Sequence, residues 1–216
     1  KQGLVKRTKL EEFDNIRNNG KKAVNLREDD ELIAVRKTNG ENEVILGSSD
    51  GRMVRFKEDG VRVMGRGASG VRGIFLTDSQ TVVGGDIVNN GQQVLVVTEK
   101  GYGKKSKIEE YRLTRRGSKG VKALKVTDKN GKLVAFSTVK GDEDVIMITE
   151  SGIIIRISLL QVNSLSRNTQ GVKLINTKGE HKVATVTVIE TEEEKEEVNT
   201  ENSTETIDSK DENTDN

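Results

Sequence analysis

Four copies of one unit about 50 residues long constrain this chain more than any single motif does. Glycines recur at Gly3, Gly51, Gly101 and Gly152, with spacings of 48, 50 and 51 residues. A second set, Gly20, Gly70, Gly120 and Gly171, is spaced by 50, 50 and 51. Within a copy the two glycines stand 17, 19, 19 and 19 residues apart. Self-similarity at this period marks a repeat architecture, in which a unit cannot bury its apolar face alone and must stack on its neighbours.

Each copy follows one grammar. A β-branched run of strand length comes first, at Val44–Leu46, Val94–Val97 and Val145–Ile148. A polar turn ending in glycine follows, S-S-D-G, T-E-K-G or T-E-S-G, suited to a hairpin. Next comes a second strand carrying cations: Val5-Lys6-Arg7, Val54-Arg55-Phe56-Lys57, Lys104-Lys105 and Ile155-Arg156-Ile157. A basic loop precedes and spans the second glycine, and a further apolar segment closes the unit, as at Glu31–Val35, Gln80–Val83 and Leu133–Thr138. The first copy has no opening run, as in a piece of a longer array. The expected organisation is all-β, with propeller-like blades at about 1–43, 44–93, 94–144 and 145–190.

Composition narrows the choice among β-repeat folds. Proline is absent, so the 22 glycines must supply the turn chemistry. Aromatic content of 3% argues against the aromatic signatures of WD-type propellers. It also removes the stacking platform of single-strand-binding folds. With no cysteine there is no disulfide, thiolate nucleophile or cysteine zinc site, which fits a reducing cytosol. No apolar run approaches the roughly 18 residues of a membrane span.

The net charge of +1 conceals a split. Residues 191–216 hold eleven acids and two lysines, or −9, and almost no apolar side chains. Such a tail buries too little surface to offset ordering and is expected to be disordered. The remaining 190 residues carry +10. A basic body with an acidic appendage points to a polyanion-binding surface.

The basic loops are where that surface should lie. Their sequences are I-R-N-N-G-K-K, G-R-G-A-S-G-V-R, R-R-G-S-K-G-V-K and S-R-N-T-Q-G-V-K. In the third, Arg115, Arg116, Lys119 and Lys122 surround Gly117 and Gly120, whose freedom to take positive φ lets side chains and N–H groups converge on one anion. Arginine forks match phosphate oxygens and lysine adds mobile charge. The corresponding cations elsewhere are Arg17, Lys21 and Lys22, then Arg66 and Arg72, then Arg167 and Lys173. Along the second strands, alternation places Lys6, Arg7, Arg52, Arg55, Lys57, Lys104 and Lys105 on a polar sheet face. Of these, Arg55, Lys104 and Lys105 join the candidate contact set.

The loop Thr114–Gly120, T-R-R-G-S-K-G, resembles the glycine-rich basic box of the C-terminal domains of the gyrase A family, usually Q-R/K-R-G-G-x-G. It departs from that box at Thr114 and Ser118. G-R-M-V-R-F-K, V-R-V-M-G-R-G-A-S-G-V-R-G-I, G-Y-G-K-K and S-R-N-T-Q-G-V extend the likeness over residues 1–190, and an acidic tail is typical of the family too. The resemblance implies a six-bladed β-pinwheel whose rim binds, bends and wraps duplex DNA without reading sequence. The four units here are similar to blades three to six, with Thr114–Gly120 as a second, degenerate box in blade five. It further implies a bacterial, cytoplasmic, nucleoid-associated parent that introduces negative supercoils. That parent would use ATP and Mg²⁺ through other domains and would assemble as A2B2 with the gyrase B subunit. The competing readings are the C-terminal domain of the topoisomerase IV A subunit, or a scaffold for another polyanion or acidic protein.

No catalytic or metal-binding group is expected in this segment, and no cofactor. His181 stands between Glu180 and Lys182 without oriented partners. The acids of Glu28–Glu31 and Asp142–Asp144 read as turn residues. Tyr102 and Tyr111 lack the arginine and acidic metal cluster that strand cleavage would need.

Overall fold

A computed structural model of the chain describes residues 1–89, 92–177 and 181–191. Its strands are β1 (Leu4–Val5), β2 (Glu43–Ser48), β3 (Arg52–Lys57), β4 (Val71–Arg72), β5 (Val82–Val88), β6 (Gln93–Thr98) and β7 (Tyr102–Lys107), continuing with β8 (Val121–Lys122), β9 (Leu133–Val139), β10 (Asp144–Thr149), β11 (Ile154–Ser158), β12 (Val172–Lys173) and β13 (Val183–Ile189). Short 3-10 turns at Glu58–Gly60, Ile108–Glu110 and Leu159–Gln161 follow β3, β7 and β11.

The opening runs and second strands form antiparallel hairpins, β2–β3, β6–β7 and β10–β11. Each hairpin closes at a glycine of positive φ. The N–H groups of Gly51, Gly101 and Gly152 donate at 2.9 Å to the carbonyls of Ser48, Thr98 and Thr149. The closing strand then returns to the other side of the opening strand, as β5 on β2, β9 on β6 and β13 on β10. All three pairings shift register at one place, between Gly47 and Ser48, Val97 and Thr98, and Ile148 and Thr149. A bulge there increases the local twist of every blade in the same way.

In the two four-stranded sheets the fourth strand comes from the next unit. β8 pairs with β3 and β12 with β7, giving the orders β5-β2-β3-β8 and β9-β6-β7-β12, and β4 pairs with β1 in the same manner. The chain therefore leaves one blade, lends two residues to its predecessor's outer edge, and only then completes its own sheet. The apolar cores follow this overlap. One cluster packs Val54, Phe56 and Ile74 against Val5, a second joins Ile45 and Met53 to Val94, Ile108 and Leu124, and a third joins Leu95 and Val97 to Val145, Met147 and Ile175. Every core is a junction between units.

Glu31–Val35, expected as a closing segment, is not a strand, and Val35 is 71% exposed. A closing strand needs an opening strand to pair with, and the first unit has none among the described residues. The acidic tail lies outside the described residues from Glu192 onward.

Candidate nucleic-acid interface

The basic loops of the second, third and fourth units do not stand free; each is laid across the preceding unit. In the third unit, Thr114 N–H donates to the Arg55 carbonyl at 2.8 Å and Gly117 N–H to the Gly73 carbonyl at 2.6 Å. Gly120 has φ +68°, and a Cβ there would collide with the Met53 carbonyl oxygen. The glycine thus gives both the left-handed turn and the backbone approach expected of it, but the approach is to the neighbouring blade.

The recurrent arginine four residues before the second glycine has the same use in three units. Arg66 Nη1 donates to the Lys22 carbonyl at 3.0 Å, Arg116 Nη1 to that of Arg72 at 3.0 Å, and Arg167 Nη1 to that of Lys122 at 2.7 Å. Arg116 Nε adds a bond to the Gly60 carbonyl at 2.7 Å. These arginines clasp one basic loop to the next. The expected convergence of Arg115, Arg116 and Lys119 on one anion is not present, because Arg116 is turned into its neighbour's carbonyls.

The second-strand cations are also committed to the junctions. Arg55 pairs with Glu43 at 2.5 Å and donates to the carbonyls of Ile108 and Tyr111, at 2.9 and 3.2 Å. At the matching position Arg7 reaches Glu58 of the next unit at 3.6 Å and Lys105 Nζ reaches the Leu159 carbonyl at 2.6 Å. Lys104, 0% exposed, donates to the carbonyls of Ser166 and Arg167. Burial brings its pKa down to about 8, Glu110 opposing and Arg167 reinforcing the shift. Burial also lowers the pKa of Lys105. The expected exposed polar face is therefore corrected for Arg55, Lys104 and Lys105. The next unit's loop covers it, and the cations satisfy carbonyls that the overlap would otherwise leave unpaired.

What remains at the surface is a regular set. Two residues after the second glycine of every unit stands an exposed cation: Lys22, Arg72, Lys122 and Lys173. Three of them lie on the lent strands β4, β8 and β12, opposite Leu4, Arg52 and Tyr102. The carbonyls of the first three are those held by the clasp arginines. Arg17, Arg115 and Lys119 are exposed beside this set. Lys21 donates to the Asp14 carbonyl and Lys22 to Asn25 Oδ1 at 2.8 Å, so the first unit's loop is partly tied to itself. The four-fold cation was visible in the sequence as G-x-K/R, whereas the clasp was not, since a lone arginine does not reveal which carbonyls it meets.

Among the described residues no group of His, Cys, Asp and Glu could hold a metal ion, and no helix is long and apolar enough to cross a membrane. Tyr111 is 1% exposed within the junction core. His181 lies on the surface.

Blades that overlap by a lent strand, with one exposed cation per outer edge, define a β-pinwheel with a basic periphery. A family model described as "DNA gyrase C-terminal domain, beta-propeller" matches residues 1–39, 42–89, 92–140 and 143–190. The chain belongs to that family. The DNA gyrase A protein of Staphylococcus aureus (strain NCTC 8325 / PS 47) is 43% identical over 209 residues, covering 96% of this chain and 24% of that protein. Its counterpart in Staphylococcus epidermidis is 42% identical over 196 residues, 90% of this chain and 22% of that protein. The chain thus spans about a quarter of the length of these relatives. Among solved structures, the C-terminal domain of DNA topoisomerase IV superposes with a TM-score of 0.83 at 26% identity, covering 88% of this chain and 59% of that one. The DNA gyrase A C-terminal domain gives 0.77 at 22%, covering 87% and 62%.

Proposed function

We propose that this chain binds and bends duplex DNA without base readout, as the C-terminal part of a gyrase A-type protein. The observation that carries this reading is the exposed cation repeated at one register on successive blade edges. Such spacing suits a polyanion lying across several blades. Each phosphate neutralised releases counterions and steepens the salt dependence of binding by about 0.9. Smooth bending of a 20–30 bp site by 40–90° costs on the order of 1–6 kcal/mol. One loop could hardly offset that cost, whereas contacts on several blades can share it. Among the described residues no recognition helix presents side chains to base edges, so the phosphate backbone is the partner.

Within the whole enzyme this segment would guide a wrapped DNA into the strand-passage machinery, supporting ATP-dependent negative supercoiling. The breakage and ATPase sites, the Mg²⁺ and the A2B2 assembly with gyrase B belong to other segments, and the parent would act on the bacterial nucleoid in the cytoplasm. Salt-titrated binding to duplexes of increasing length tests the reading. Affinity should rise with length, and Lys122→Ala/Lys173→Ala should lower the salt slope by about 1.8. A slope near zero, or equal affinity for heparin and for duplexes of every length, overturns it. The higher TM-score of the topoisomerase IV domain favours a second reading, as that enzyme's C-terminal domain. Supercoiling against decatenation by the full-length protein separates the two.

A further inference from the structure

Two aromatic rings at the unit junctions each have two cations within about 6 Å. Phe75 is 37% exposed and is fixed by its N–H, which donates to the Ser118 carbonyl at 2.9 Å. The Arg72 guanidinium carbon lies 5.7 Å from its ring centroid and Lys119 Nζ 5.4 Å. One junction further on, Lys129 Nζ and Lys173 Nζ both lie 5.7 Å from the Tyr102 ring centroid. In each case the two cations come from successive units. All four are exposed, and among the described residues none forms an ion pair.

Two like charges over one ring repel each other. A ring face within about 6 Å holds an exposed cation only weakly, and it accepts no conventional hydrogen bond. The ring therefore positions the cations without using up their N–H groups, and all four side chains are exposed. A single phosphodiester held by both cations would relieve the repulsion and take a charge-assisted bond from each. The apolar floor restricts the rotamers of both long side chains before binding, which lowers the ordering cost when an anion arrives.

We propose that Arg72–Phe75–Lys119 and Lys129–Tyr102–Lys173 are phosphate seats at which the DNA backbone bridges adjacent blades. The inference rests on the DNA-binding reading and assigns contacts to Lys129, Tyr102 and Phe75, outside the basic loops. The seats differ in strength. Asp50 lines the hollow of about 230 Å³ beside Phe75 and Lys119, and its carboxylate lies 3.4 Å from Arg52 Nε. The position matching Asp50 in the next unit is Lys100, whose Nζ donates to the Asp128 carbonyl at 2.5 Å. The Tyr102 seat, lacking that carboxylate, is the tighter of the two.

The test is duplex binding by the whole chain across a salt titration. Lys129→Ala should lower the salt slope by about 0.9, and Lys129→Ala/Lys173→Ala by about 1.8. The control Lys57→Ala/Lys107→Ala removes two exposed lysines at the far ends of β3 and β7 and should change the slope by less than half as much. Tyr102→Phe should bind as the wild type does, and Tyr102→Leu should bind at least threefold more weakly while melting at the same temperature. Equal slopes for the seat and control variants overturn the proposal, as does wild-type affinity in both Lys129→Ala and Tyr102→Leu. A wild-type chain that binds no duplex at low salt overturns the DNA reading itself, which separates the two failures.

Discussion

At the residue scale, side chains of one chemical type serve opposite ends according to what the next unit places over them. Gly117 and Gly120 both adopt positive φ, yet only at Gly120 would a Cβ collide, 2.1 Å from the Met53 carbonyl oxygen, whereas a Cβ on Gly117 would meet the Arg72 carbonyl oxygen at an ordinary 3.5 Å. Gly117→Ala should therefore cost only the left-handed penalty of roughly 1–2 kcal/mol. Gly120→Ala should cost clearly more, because Met53 must also move. Denaturant midpoints compare the two directly, and equal losses would mean that the loop is not pressed on β3. Lys104 gives a second residue-level expectation. Its pKa is about 8 when folded against an ordinary value of 10.5, so between those pH values the unfolded chain binds more protons. Stability contributed by this site must then rise with pH across that window. Relative to Lys104→Met, the wild type should gain stability from pH 8 to pH 10, and a constant difference would refute the assignment. Lys104 was misread from sequence for a physical reason. A period of two separates the faces of a strand, but it cannot say that a neighbouring unit covers both.

At the scale of elements, the second-strand hairpins were legible and the lent strands were not. β2, β6 and β10 are β-branched runs ending in a glycine turn, which is enough to place a hairpin. β4, β8 and β12 are two residues long, below the length at which alternation carries information, and they pair with the previous unit rather than their own. The same overlap hides the clasp. Arg116 holds two carbonyls of the preceding unit, so Arg116→Ala should lower stability by about 1.5–3 kcal/mol, in keeping with hydrogen bonds made by a charged group. It should also speed amide exchange at Val121 and Lys122 while changing the salt slope of DNA binding less than Lys122→Ala does. If Arg116→Ala instead lowered the slope as much as Lys122→Ala and left stability unchanged, Arg116 would be a phosphate contact and not a clasp.

At the scale of the whole molecule, the units form a chain of junctions, each with its own core, and a tail that opposes the body in charge. Residues 192–216 hold the −9 recorded in the sequence, directly after a body of +10. The last described residue is anchored, with Thr191 Oγ1 donating to the Asp142 carbonyl at 2.7 Å. On the outer edges of the body Lys122 and Lys173 are exposed. The carboxylates would compete there with phosphate, and the competition must be strongest when screening is weakest, since the Debye length is about 30 Å at 0.01 M salt and about 8 Å at 0.15 M. Deleting residues 192–216 should accordingly tighten duplex binding at low salt, with the gain shrinking as salt rises. The deletion should leave the melting temperature unchanged, because Thr191 and every described strand are retained. Unchanged affinity at low salt would show that the tail does not reach the cations, and a gain that persists at high salt would point to a steric block instead.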